Sequence, residues 1–301
     1  MKTAVMGAGA VGGYFGAMLA RAGHDVTLIA RPQHVEAIGK HGLIFEGRNF
    51  NGAIPVTATS DASGVEGADV VLFCVKSSDT ESAGQSIAPF LKADATVLCL
   101  QNGVDNAERL QANIRQIAVP TVVYVAAEMA GPGRIKHHGR GELIIGPSSA
   151  SADIAGQFTA AAIPTTVSDN VMSDLWAKLI TNCAYNAVSA VAQLPYGAML
   201  KVKGVREVID SAIDECLSVA HAAGISIPAN VKQAVFALAE AVPNQYSSTA
   251  QDLARGKLTE IDFLNGYVVR KGAELGIPTP TNLALHVMVK LREAHLQQSH
   301  S

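Results

Sequence analysis

Charge is scarce in this chain and nearly balanced: 16% of its 301 residues are charged, with 23 Lys+Arg against 26 Asp+Glu. A formal charge of −3 offers no basic footprint for a polyanion, which argues against nucleic acid as a partner. Long apolar runs are missing as well. Hydrophobic residues make up 49% of the chain, but Ala and Val are scattered among polar residues. Runs such as Val70 to Val75 are strand-sized, well short of the ~20 apolar residues of a membrane span, so no membrane association is expected. The four cysteines, Cys74, Cys99, Cys183 and Cys216, form no CxxC pair, no metal-ligand spacing and no disulfide framework. A reduced, cytoplasmic setting without a bound metal is expected, with the thiols acting as small buried hydrophobes. The apolar N-terminus lacks cleavage-site grammar and reads as a first strand. There is no internal repeat and no low-complexity tract.

What is present divides into two grammars. The first half alternates β-branched runs with helical stretches, the rhythm of a parallel sheet. Strands are expected at Lys2 to Met6, Asp25 to Ala30, Asp69 to Val75, Thr96 to Leu100 and Thr121 to Ala126. Helices are expected over Ala10 to Gly23 and around Asp79 to Leu91. Arg134 to His138 and Glu142 to Ile145 read as a hairpin about Gly139-Arg140-Gly141, extending the sheet in antiparallel fashion. After Val167, helical periods take over: Asn170 to Gln193, Val202 to Ala223, Ala229 to Ala241, Leu258 to Leu275 and Thr281 to Leu296. The expected architecture is a doubly wound, mostly parallel α/β domain over residues 1–168, followed by an all-α domain over 169–301.

Gly7-Ala8-Gly9-Ala10-Val11-Gly12 lies directly between the first strand and the first helix. Gly7 allows the tight turn, Gly9 lets a pyrophosphate approach the backbone, and Gly12 permits close packing of helix on strand. The N–H groups of the helix start then hold the phosphates. The motif alone is common; its placement makes it a dinucleotide site. An NAD-specific site places Asp or Glu at the end of the second strand. Here the chain reads Ile29-Ala30-Arg31, and a cation without a neighbouring acid suits the 2′-phosphate of NADP(H). A solvated loop arginine before Pro32 is the competing reading of Arg31.

Lys178, Asn182 and Asn186 stand at i, i+4 and i+8 on one helix. Each step turns about 40° and rises about 6 Å, so their tips form a slanted ridge. One cation beside neutral amides suits an anionic, hydroxylated ligand. Hydride arriving at a ketone carbon leaves charge on its oxygen, which a positioned ammonium stabilises and then protonates. Taken singly, each of these residues is more often a solvated helix residue.

Further segments complete a pattern. Cys74-Val75-Lys76-Ser77 and Gln101-Asn102-Gly103-Val104 end two successive strands. Trp176-Ala177-Lys178-Leu179-Ile180-Thr181-Asn182-Cys183-Ala184-Tyr185-Asn186 occupies the first long helix. Ser247-Ser248-Thr249-Ala250-Gln251-Asp252-Leu253, Gly256-Lys257-Leu258-Thr259-Glu260-Ile261-Asp262 and Asn265-Gly266 follow. Together they resemble the ketopantoate reductase family (2-dehydropantoate 2-reductase) over nearly the whole chain.

The resemblance implies a Rossmann-type fold and NADPH-dependent reduction of 2-dehydropantoate to (R)-pantoate, a step of pantothenate and coenzyme A synthesis. It implies Lys178 as catalytic lysine and Glu260 as active-site glutamate. Asn102, Asn182, Asn186, Ser248 and Glu260 become substrate contacts. Lys76 is placed near the nicotinamide and Arg31 at the adenosine phosphate, with Asn102 also beside the cofactor. The chain departs from the family pattern at Tyr196, where many members have Asn before the glycine, and at Thr249, where an apolar residue is common. The expected small-molecule partner is a 2-oxo acid, and a homodimer is compatible with the sequence. Two alternatives remain: an NADP(H)-dependent reductase of another 2-oxo or β-hydroxy acid, and a non-catalytic NADP(H) sensor.

Overall fold

The structure, a computed structural model, describes residues 1–298. The chain divides into two compact units, Met1–Val171 and a second from Met172 onward.

The first unit opens with β1 (Lys2–Met6), α1 (Ala10–Arg21), β2 (Asp25–Ile29) and α2 (Pro32–His41). Three short strands follow, β3 (Leu43–Glu46), β4 (Asn51–Ile54) and β5 (Thr57–Thr59). Then come β6 (Val70–Phe73), α3 (Thr80–Ile87), β7 (Thr96–Cys99) and α4 (Asn106–Gln111). The unit ends with β8 (Ile117–Gly131), β9 (Arg134–Ile145), α5 (Ser151–Ala160) and β10 (Thr165–Val167). The strands form one sheet in the order β4-β3-β9-β8-β7-β6-β1-β2-β5, with β10 beside β9.

β1 pairs in parallel with β2 on one side and β6 on the other, and β6, β7 and β8 continue in parallel. The chain winds outward from β1 in both directions. The carboxyl ends of β1 and β6 therefore flank the switch point, where open α/β sheets bind ligands. The strand side chains alternate between two cores. Val5, Leu28, Leu72 and Leu98 meet Phe15 and Leu19 of α1 and Phe158 of α5. Ala4, Ile29, Val71, Phe73 and Val97 meet Ile87 of α3 and Leu110 of α4. Burial on both faces explains why these strands read as continuous apolar runs.

The hairpin differs from the sequence expectation. Its turn lies at Pro132-Gly133, and Gly139-Arg140-Gly141 sits inside β9, which runs antiparallel to β8. Register shifts near Val125 and Ala127 are absorbed there, with Arg140 at φ +60°. Gly133 makes the tight turn at φ +62°, and its N–H donates to Nδ1 of buried His34 at 3.2 Å. A Cβ at that glycine would meet Ala37 at 3.1 Å, which pins the hairpin tip to α2.

The second unit is helical: α6 (Val171–Ala192), α7 (Tyr196–Met199), α8 (Val205–Ala222), α9 (Val231–Ala241), α10 (Ser248–Ala254), α11 (Asn265–Leu275) and α12 (Pro280–Gln298). Trp176, Leu179, Ile180, Cys183 and Tyr185 bury α6, and Trp176 meets Tyr267 edge-on with 5.9 Å between ring centres. Ala187, Ala190, Ala212 and Ala250 let neighbouring helices approach closely around Leu253, Ile261, Leu285 and Val289.

The helix expected over Leu258 to Leu275 is interrupted. Residues 257–260 form a loop, Ile261–Phe263 make a short 3₁₀ turn, and α11 starts only at Asn265. Leu258, which supplied the first apolar position of that period, is 59% exposed. Short α10, ahead of the loop, also lacks a long apolar period; it is set by Ser247, whose Oγ caps it by accepting from the Ala250 N–H at 3.0 Å. Among the described residues, no helix is long and apolar enough to cross a membrane, and no group of His, Cys, Asp and Glu could hold a metal.

Candidate functional site

In the first unit the glycine loop is built as its residue types require. Gly7 adopts φ +93°, and its N–H and that of Ala8 donate to the Ile29 carbonyl at 3.1 and 2.9 Å. A Cβ at Gly7 would meet the Val75 nitrogen at 2.7 Å and the Cys74 carbonyl carbon at 2.8 Å. One at Gly12 would meet the Gly7 oxygen at 2.6 Å and Val5 at 2.7 Å. A Cβ at Gly9, by contrast, would meet nothing within 4 Å. Gly9 is thus the place where an outside group can come against the backbone. The first intrahelical bond runs from the Gly13 N–H to the Gly9 carbonyl, so the N–H groups of Ala10, Val11 and Gly12 point out of the helix start. This cradle fits a dinucleotide pyrophosphate.

Gly9 and Gly12 separate experimentally. Gly12→Ala is expected to overpack the loop, lowering stability by about 1–3 kcal/mol and weakening dinucleotide binding. Gly9→Ala is expected to leave the melting temperature unchanged and weaken dinucleotide binding at least about tenfold. Thermal denaturation and a cofactor titration check both. Undiminished affinity in Gly9→Ala would remove the phosphates from this loop.

Arg31 is exposed at the N-terminal boundary of α2, two residues after the Ile29 carbonyl that receives the glycine loop. No acidic residue stands between Ile29 and Pro32. At the neighbouring strand ends, a polar network joins Ser77, the residue after Lys76, to the Asn102 carbonyl. Ser77 Oγ donates to the Asn102 carbonyl at 3.0 Å, and Asn106 Nδ2 donates to the same oxygen at 2.7 Å. Thr80 Oγ1 donates to Asn106 Oδ1, and Gln101 Nε2 donates to Thr80. Arg109 spans the Ser77 carbonyl and both Glu81 oxygens, and its guanidinium holds the Glu81 carboxyl below the usual range against a smaller effect of burial. Lys76 is exposed and Asn102 half-buried, each on a backbone fixed by that network. The Cys74 and Cys99 thiols beneath are pushed up by burial, Cys99 to about 12, which suits inert packing.

In the second unit Lys178, Asn182 and Asn186 lie along α6 as their spacing requires, passing from half-buried to buried. Asn186 is 2% exposed, and its Nδ2 has no hydrogen-bond partner among the described residues. A buried donor of that kind costs free energy until a ligand acceptor meets it.

Two other segments are tied to α6 through its carbonyls. Ser247 Oγ donates to the Asn186 carbonyl at 3.2 Å, and the Ser247 N–H donates to Ser189 Oγ at 3.3 Å. That anchors the start of α10, where exposed Ser248 follows. Asn265 Nδ2 donates to the Cys183 carbonyl at 3.1 Å and to Asn282 Oδ1 at 2.9 Å, anchoring the start of α11 beyond half-buried Glu260. Tyr196 is a packing residue: it stacks on Tyr185 with ring centres 4.8 Å apart, and burial pushes its hydroxyl up to about 12. Thr249 is buried within α10.

The structure thus collects the glycine loop, Arg31, Lys76 and Asn102 at the strand ends of the first unit. It ties the segments of Ser248 and Glu260 to the helix of Lys178, Asn182 and Asn186 in the second. Ser247 and Asn265 stand inside the quoted motifs but carry no assigned role in the sequence reading, and Ser189, Asn106 and Arg109 lie outside those motifs, marked only by polar side chains close to them.

Both halves of the chain match one family of known proteins. The model of the ketopantoate reductase PanE/ApbA family matches residues 3–150, and that of its C-terminal domain matches 170–293. A 2-dehydropantoate 2-reductase of Pyrococcus horikoshii is 32% identical over 299 residues, covering 98% of each chain. The crystal structure of a PanE/ApbA family ketopantoate reductase from Ralstonia eutropha superposes with a TM-score of 0.97 at 56% identity, covering 99% of this chain and 100% of that one. D-mandelate dehydrogenase, solved with NADH and anilino(oxo)acetate, superposes with a TM-score of 0.91 at 27% identity, covering 99% of this chain and 100% of its own. Matched along both halves by the family's two domain models, this chain belongs to the ketopantoate reductase family.

Proposed function

We propose that this oxidoreductase reduces the C2 ketone of 2-dehydropantoate to (R)-pantoate with NADPH, the step that supplies pantothenate and coenzyme A synthesis. The reading is carried by the Lys178–Asn182–Asn186 ridge, with its buried amide donor, in a chain whose relatives bear the reductase name. NADPH, when bound, supplies the hydride. The glycine loop binds the pyrophosphate through the N–H groups of Ala10, Val11 and Gly12, and Arg31 binds the 2′-phosphate. Lys76 and Asn102 orient the nicotinamide end. Lys178 stabilises the charge developing on the ketone oxygen and donates its Nζ proton there. Asn182, Asn186, Ser248 and Glu260 hold the carboxylate and hydroxyl groups of the substrate, which is the work neutral amides, a hydroxyl and an acceptor can share.

The D-mandelate dehydrogenase likeness favours a second reading, reduction of a bulkier 2-oxo acid with NADH. Comparing kcat/KM for 2-dehydropantoate, phenylglyoxylate and straight-chain 2-oxo acids, each with NADPH and NADH, decides between them. A preference of about tenfold or more for 2-dehydropantoate with NADPH is expected. A preference for phenylglyoxylate supports the second reading. Cofactor binding without oxidation by any of these acids contradicts both and leaves a sensor.

A further inference from the structure

Glu260 sits in a loop, yet a substrate contact needs its carboxylate in one place. The holding device is one face of α12. His286, Lys290 and Glu293 are spaced by four and three residues, so they share a side of that helix. Glu293 is 3% exposed, an uncommon fate for a glutamate unless both oxygens are engaged. Its Oε1 accepts from the Thr259 N–H and from Thr259 Oγ1, each at 2.7 Å, and its Oε2 pairs with Lys290 Nζ at 2.7 Å. Lys290 also donates to Asp262 Oδ2 at 2.9 Å, while His286 Nε2 donates to Asp262 Oδ1 at 2.6 Å. Thr259 Oγ1 in turn accepts from the Ile261 N–H at 3.2 Å. The residues before and after Glu260 are therefore both fixed, through Thr259 and Asp262, to a single helix face. Burial opposes ionisation of Asp262, but the bonds from His286 and Lys290 hold its carboxyl below the usual range, so the clamp carries charge at neutral pH.

We infer that Glu293 is a positioning residue for the reaction, acting through Thr259 to hold the Glu260 carboxylate against the substrate. This rests on the reading of Glu260 as a substrate contact. Glu293 is 3% exposed with its oxygens taken up by Thr259 and Lys290, so the route from it toward the substrate runs through the Thr259–Glu260 segment.

The test is a double-mutant cycle on the full chain, read as KM and kcat for 2-dehydropantoate together with NADPH affinity and melting temperature. Glu260→Ala and Glu293→Ala are each expected to raise KM about ten- to hundredfold, since a misplacement of about 1 Å carries penalties of that order, with NADPH affinity unchanged. Glu293→Gln keeps an amide oxygen for both Thr259 bonds but turns its NH2 toward the Lys290 ammonium, so its KM is expected to fall between those of the parent and Glu293→Ala. The double variant is expected to be no worse than Glu260→Ala alone. Thr259→Val, which removes the hydroxyl's bonds to Glu293 and from the Ile261 N–H but keeps the backbone bond to Glu293, moves KM in the same direction by a smaller factor and serves if Glu293→Ala folds poorly. If Glu260→Ala raises KM while Glu293→Ala and Thr259→Val do not, the positioning role is overturned and the substrate reading of Glu260 stands. Additive losses in the double variant also overturn it. An unchanged KM in Glu260→Ala overturns the substrate reading itself.

Discussion

Lys178→Met is expected to bind NADPH like the parent and to transfer hydride about 10²–10⁴-fold more slowly, the usual loss when a general acid is removed. Methionine keeps the length and apolar stem of lysine on α6, between buried Trp176, Leu179 and Ile180, so packing of the helix is preserved. Only the ammonium is lost. Its proposed role follows from what reduction does to a ketone: charge appears on an oxygen that water would solvate, and a fixed cation can meet it in place of water. The asparagines one and two turns further along are neutral donors and acceptors, which can bind but cannot protonate. Single-turnover transfer, followed by loss of nicotinamide absorbance, checks the prediction beside a cofactor titration. A rate within a few-fold of the parent would move the acid elsewhere, with Lys76 the next candidate.

Arg31→Ala is expected to weaken NADPH about 10–150-fold, the equivalent of one charge-assisted hydrogen bond of about 1.5–3 kcal/mol, and to leave NADH nearly unchanged. Arg31 stands just past the strand end whose carbonyl receives the glycine loop. In dinucleotide-binding sheets of this kind such a loop fixes the pyrophosphate, and the second strand leads toward the adenosine ribose. A guanidinium there recognises a phosphate through paired donors, which a ribose hydroxyl cannot exploit as fully. Higher ionic strength should shrink the NADPH advantage, because the pair is solvent-exposed. Equal losses for both cofactors in titrations of the variant would take Arg31 out of the phosphate site.

The sequence made the frame legible where one local rule decides the outcome. The strand–glycine–helix passage at Gly7 to Gly12 is such a case, since no other residue tolerates the distances found at Gly7 and Gly12. The α6 ridge is another, because spacing on a long helix fixes which side chains align. The hairpin turn was misplaced because Gly139 and Gly141 carry a turn signature, whereas in β9 those residues absorb register shifts against β8. Only pairing with the partner strand distinguishes the two uses. Leu258 and Ile261 fit a helical period and so predict helix through the loop before α11, though only Ile261 of the two is buried. The supports of the site were least legible. Ser247 reaches Asn186 across 61 positions, Asn265 reaches Cys183 across 82, and Thr259 reaches Glu293 across 34. Side-chain bonds over such separations depend on tertiary packing and leave no periodic trace.

The central claim is direct transfer from NADPH to C2 of 2-dehydropantoate. The measurement that tests it most directly uses NADPH deuterated at the transferable position of the nicotinamide, with the product analysed by mass spectrometry and chiral chromatography. The account predicts (R)-pantoate carrying deuterium at C2, formed in step with cofactor oxidation. Cofactor bound but no labelled pantoate formed, while another 2-oxo acid is reduced or none is, would contradict it.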